Sequence, residues 1–161
     1  MIIEEMKVKD INNILDLYID YYNNIEGSNW IKQTAYKRIH QVLTMEDSYC
    51  LILKNDNNYI GFIIGYFKQY DDIIGYTLEE IVIDYTFQNR GLGSQFLDQL
   101  EKKVKGLGAS CIELESVNDP MHNHFYKING YLDSDSFVEK VKWFSYCLLY
   151  TSDAADDMQC V

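Results

Sequence analysis

The chain predicts a mixed α/β fold: a central mixed sheet, mostly antiparallel, with helices on both faces. Three observations carry this. Short runs rich in Ile, Val and Tyr, separated by Asn- and Asp-bearing turns, fill the middle of the chain. Stretches on both sides of them repeat apolar residues at helical spacing. One of those helices begins in a turn with two glycines, directly after a strand. The 161 residues are 47% hydrophobic and hold one proline, no repeat and no low-complexity run, so residues 1–146 are expected to form a single domain with a sizeable core.

The elements follow in order. Residues 2–8 alternate as a first strand, and Asp10 is placed to cap a helix over 11–23 whose Ile11, Ile14, Leu15, Tyr18 and Tyr22 share one face. A loop around Trp30 leads to a second helix over 34–43. Residues 48–54 and 59–70 read as a hairpin around Asn55-Asp56-Asn57-Asn58, and a second hairpin through Asp71-Asp72 leads to a strand ending at Ile83. A helix over 93–105 stops at Gly106 or Gly108, and a strand over 110–117, a helix over 120–129 and a last strand over 137–144 complete the order β-α-α-β-β-β-α-β-α-β.

The stretch from Glu79 to Leu97 organises the rest: an Ile/Val strand, the polar turn Gln88-Asn89-Arg90, then Gly91-Leu92-Gly93-Ser94 and a helix with Phe96, Leu97, Leu100 and Val104 on one face. A helix starting there leaves its first N–H groups unpaired and turns its positive dipole end toward them, a seat for an anion. Phe96 stands where a dinucleotide loop needs its third glycine, and Ser94 stands where a Walker loop needs lysine, so neither nucleotide loop is present. Gln88-Asn89-Arg90-Gly91-Leu92-Gly93 instead resembles the Q/R-x-x-G-x-G/A turn of the GNAT acyltransferases, acetyl-CoA-dependent N-acetyltransferases. The strand before it and Phe125-Tyr126-Lys127-Ile128-Asn129-Gly130-Tyr131 after it, similar to the family's F-Y-x-x-x-G-F/Y, extend the resemblance over residues 59–143; the N-terminal part agrees in element order.

The resemblance implies acetyl transfer from acetyl-CoA, as co-substrate, to a primary amine by direct attack in a ternary complex. It implies backbone contacts from Val82 and Ile83 to the pantetheine arm, and from Arg90, Gly91, Leu92, Gly93 and Ser94 to the diphosphate, within the turn begun by Gln88 and Asn89. Arg90 is either a phosphate partner or a solvated side chain. Tyr126 matches the family's acid for the departing thiolate; the competing reading is a core aromatic. Glu79 is the favoured base, directly or through water, with Glu80 second, and strand alternation predicts that the two point to opposite faces. The family's CoA-contacting asparagine falls at Asp119, beside Asn118, where Asp119-Pro120 also reads as a helix cap. His122 and His124 have no partner at metal-ligand spacing, and the family uses no metal.

A formal net charge of −11, with no cluster of Lys and Arg, argues against nucleic acid and leaves room for a small cationic amine. Tyr18, Tyr21, Tyr22, Trp30 and Tyr36 are either core at helical spacing or a box for that amine. Other readings are a protein or peptide amino group as acceptor, or a non-catalytic acyl-CoA-binding regulatory module; a homodimer is compatible with each. No run approaches the ~20 apolar residues of a membrane span, the start lacks the basic residues of an export signal, and the four cysteines have no metal or redox spacing, so a cytoplasmic setting is expected. Residues 147–161 have no strand or turn logic after Tyr150 and resemble a translated sequencing adapter; without them three aspartates and no base are lost, and the charge is −8.

Overall fold

The structure is a computed structural model that describes residues 1–144. Its regular elements are β1 (Ile2–Glu5), α1 (Ile11–Ile25), α2 (Lys32–Leu43), β2 (Leu51–Asn55), β3 (Asn58–Gln69), β4 (Ile74–Ile83), α3 (Leu92–Gly106), β5 (Cys111–Leu114) and α4 (Pro120–Ile128). All of them lie in one compact unit, Met1–Gly130. The sheet order is β1-β2-β3-β4-β5, antiparallel throughout except for the parallel pair of β4 and β5. This is the mixed, mostly antiparallel sheet that the sequence predicts.

Strand alternation divides the sheet residues between two cores. Ile52, Phe62, Ile64 and Val82 meet Ile11, Ile14, Leu15 and Tyr18 of α1 and Ala35, Ile39 and Val42 of α2. Helix α3 buries Phe96, Leu97, Leu100 and Val104, its apolar stripe, and packs on β4. Burying side chains of this size stabilises by about 1.5–3 kcal/mol each, which fixes the sheet from both faces. Gly65 matters to the fit, because a Cβ there would lie 2.3 Å from the Thr77 carbonyl and 2.5 Å from the Tyr76 hydroxyl.

Three local expectations are corrected. The first strand ends at Glu5 and residues 8–10 form a 3-10 turn, because Met6 already turns inward into the core and Asp10 is drawn in as well. Asp10 stands at the start of α1 without capping it; its carboxylate accepts from the Lys7 N–H and the Tyr59 hydroxyl, both at 2.9 Å. The strand expected over 137–144 does not form: the second unit, Tyr131–Val161, has neither helix nor strand in its described part. A strand exists only where a partner takes its backbone groups, and here Phe137 and Trp143 remain 81% and 66% exposed. The tail reading for 147–161 falls outside the described residues.

Candidate active site

The opening is made by β4 and β5 parting. Their ladder runs from Gly75↔Cys111 to Leu78↔Leu114 and stops, while β4 continues to Ile83 along β3. Asp84 N–H bonds the Ile60 carbonyl at 2.8 Å, so Gly61↔Ile83 is a non-hydrogen-bonded pair. By alternation the backbone groups of Ile83 and Ile81 face the β5 side, where the ladder has ended, and those of Val82 face β3. Ile83 and Ile81 thus stand at the opening, and Val82 contributes a buried side chain.

The turn that follows is held by its own residues. Gln88 donates from Nε2 to the Ile83 carbonyl at 2.8 Å, tying the turn to the strand end. Asn89 and Gly91 both take left-handed backbone, with φ of 58° and 74°, and the Arg90 guanidinium lies 6.0 Å from the Phe87 ring centroid. The first helical bond of α3 runs from Gln95 N–H to the Gly91 carbonyl at 3.1 Å, so the amides of Leu92, Gly93 and Ser94 have no acceptor within the helix. A Cβ on Gly93 would come within 3.2 Å of the Phe125 ring, which brings the α4 residue beside Tyr126 against this helix start.

On the α1/α2 face, the sheet register slips between Ile64 and Gly65, leaving Glu79 as the extra residue of β4. The bulge cancels one step of alternation, and the expectation of opposite faces fails: Glu79 and Glu80 reach the same side chain. Arg38 of α2 donates from Nη2 to Glu79 at 2.6 Å and to Glu80 at 3.2 Å, and from Nε to Glu80 at 3.3 Å. The Tyr22 hydroxyl of α1 donates to the other Glu80 oxygen. Burial raises the Glu80 carboxyl above its usual range, against the pull of Tyr22 and Arg38. Tyr22 and Arg38 thus hold both oxygens of Glu80, whereas Glu79 is held by Arg38 at one oxygen and is the freer of the two.

Helix α4 brings the remaining groups. Asp119 caps it, accepting from His122 N–H at 2.9 Å and pairing with His122 Nδ1 at 2.7 Å; Asn118 accepts from Asn123 at 2.9 Å. His122 Nε2 lies 3.4 Å from the Glu26 carboxylate and 3.3 Å from the Tyr21 hydroxyl, both on or just past α1. Burial pushes the Tyr126 phenol up to about 12, with Glu80 and Glu26 adding to the effect, so its proton stays in place at neutral pH. Of the aromatic group, Tyr18 is core, in ring contact with Tyr22, Trp30 and Phe62, and Tyr36 stacks on His40. Arg38 and Glu26 carry no signal in the sequence, because their partners lie in other elements; Tyr22 enters there only as an aromatic and His122 only as a metal candidate.

Comparison with known proteins bears on the family and the fold. The acetyltransferase (GNAT) family model matches residues 11–131. Among solved structures, a GNAT family acetyltransferase from Staphylococcus aureus is 23% identical, with 88% of this chain and 98% of that chain covered at a TM-score of 0.67. The ribosomal-protein-alanine N-acetyltransferase from Brucella melitensis is 18% identical, covering 88% and 100% at a TM-score of 0.68. An aminoglycoside N-acetyltransferase, AAC(6')-Iy, in complex with CoA is 15% identical, covering 88% and 93% at a TM-score of 0.70. These likenesses show the fold. A search of curated protein sequences finds no match.

Proposed function

The chain belongs to the GNAT acetyltransferase family, and from that premise we propose that it acetylates the primary amine of a small cationic acceptor. What supports the cationic acceptor is one cluster of side chains between α1, α2, β4 and α4. It gathers the carboxylates of Glu26, Glu79, Glu80 and Asp119, answered by the guanidinium of Arg38 and the imidazole of His122. An excess of negative charge in a part-buried cleft concentrates cations and disfavours anionic acceptors.

In this reading the pantetheine arm lies in the gap beyond Leu78, pairing with Ile81 and Ile83, and the diphosphate rests on the amides of Leu92, Gly93 and Ser94. Arg90 and Asn89 lie beside it in the turn. The neutral amine attacks the thioester carbonyl carbon, a C–N bond forms and the C–S bond breaks. Tyr126 gives its proton to the departing thiolate, and Glu79, directly or through water, takes the proton of the new ammonium. Holding both reactants in one cleft supplies much of the rate, so no covalent enzyme intermediate is required.

A thiol-release assay with acetyl-CoA against a panel of amines tests the reading. Diamines and other cationic amines should release CoA fastest, and amines carrying a carboxylate slowest. Preference for a peptide N-terminus would replace the small acceptor, and acetyl-CoA binding with no amine-dependent release would make the chain a binding module.

A further inference from the structure

None of the nine residues of α4 is fully buried, and Tyr126 itself is half-buried. Apolar packing alone therefore fixes its position weakly, and the polar ties at its N-terminal end matter more than in α1 or α3, which bury whole stripes. Those ties converge on His122, whose side chain is 16% exposed and lies one turn before Tyr126 on the same face.

The two ring nitrogens meet different elements. Nδ1 meets Asp119 of its own helix at 2.7 Å; Nε2 meets Glu26 at 3.4 Å and the Tyr21 hydroxyl at 3.3 Å. An ionised carboxylate only accepts, so satisfying Asp119 and Glu26 together requires an N–H on both nitrogens, the imidazolium. A neutral ring that keeps Nδ1–H on Asp119 has a lone pair at Nε2, which suits the Tyr21 hydroxyl and repels Glu26. The ring thus has two sets of partners, selected by one proton.

We infer that His122 is a positioning residue for acetyl transfer: as imidazolium it clamps α4 to the end of α1, and so holds Tyr126 against the acceptor cleft. Glu26, with Asp119, raises the His122 pKa above the ordinary imidazole value, against the opposing effect of burial. The sign follows: the clamp is complete below the ordinary imidazole range and is lost as pH rises through the raised value. The groups facing the ring are Asp119 at the cap of α4, Tyr21 of α1 and Glu26 just past the end of α1; Tyr126 in turn lies within electrostatic reach of Tyr21.

The inference rests on the acetyltransferase reading, and the test separates the two. The turnover number is measured against pH for the full chain and for His122→Gln, with one amine and saturating acetyl-CoA. Deprotonation of the amine is common to both proteins, so the ratio of wild type to variant isolates the imidazole. That ratio should be about 10-fold at low pH, within the ~10²-fold that a misplaced catalytic group can cost. It should fall toward one through a single titration above the ordinary imidazole range. Glu26→Gln, which leaves the α4 cap intact, should move that titration to lower pH, and it serves alone if His122→Gln fails to fold. A ratio that does not vary with pH, or a titration that Glu26→Gln leaves in place, overturns the clamp. Absence of CoA release by wild type with any amine overturns the acetyltransferase reading instead.

Discussion

The two sides of β4 are built by different means. Toward β5 the cleft is made of main chain: the strand edge beyond Leu78, the left-handed turn at Asn89 and Gly91, and the amides that open α3. Toward α1 and α2 it is made of side chains tied across the fold, with Arg38 on Glu79 and Glu80, Tyr22 on Glu80, and His122 between Asp119 and Glu26. A backbone site suits a ligand group that never changes, such as a diphosphate. A side-chain site can be rewritten without disturbing the fold, which suits an acceptor that differs from one family member to the next.

Substitutions on each side should fail differently. Tyr126→Phe removes the proposed acid without touching the proposed anchor; turnover should fall about 10²-fold or more in a thiol-release assay, with acetyl-CoA affinity unchanged. Equal turnover would take Tyr126 out of the mechanism. Arg38→Ala leaves two carboxylates facing each other. Breaking a buried pair costs about 3–5 kcal/mol, and this one, with the Arg38 side chain 31% exposed, should cost roughly 2–3 kcal/mol in urea unfolding. Adding Glu80→Gln should recover part of the loss; no recovery would mean that Arg38 acts through packing alone.

On the backbone side, Gly91→Ala places a Cβ in open space but on left-handed backbone, at a cost of about 1–2 kcal/mol. Gly91→Asn should cost less, as Asn89 already adopts that conformation. The smallest effect is expected away from the cleft. Lys102→Ala, which breaks a surface pair with Asp98, should cost less than about 0.5 kcal/mol and leave turnover intact.

This difference also explains what could be read from the sequence. The Gly91/Gly93 turn, the apolar stripe of α3 and the Asp119-Pro120 cap are local: spacing of neighbours in the chain dictates them, and the structure has all three. The partnership of Tyr22 with Glu80 joins residues 58 apart, and that of Tyr21 with His122 residues 101 apart, so no window of sequence contains either. Alternation misplaced Glu79 and Glu80 because the bulge depends on how β3 pairs, a property of two strands. Asp10 followed the same pattern: its place at the helix start was legible, but of its two partners, Lys7 and Tyr59, the second lies 49 residues away.

The proposed function requires the helix start at Leu92 to Ser94 to receive the diphosphate, and calorimetric titration with acetyl-CoA tests this most directly. Wild type should bind one acetyl-CoA per chain. Gly93→Val, whose Cβ would press on Phe125 at 3.2 Å and whose methyls would cover the neighbouring amides, should bind at least ~10-fold more weakly, a loss of about 1.4 kcal/mol. Absence of uptake by wild type, or equal affinity in the two proteins, would contradict it.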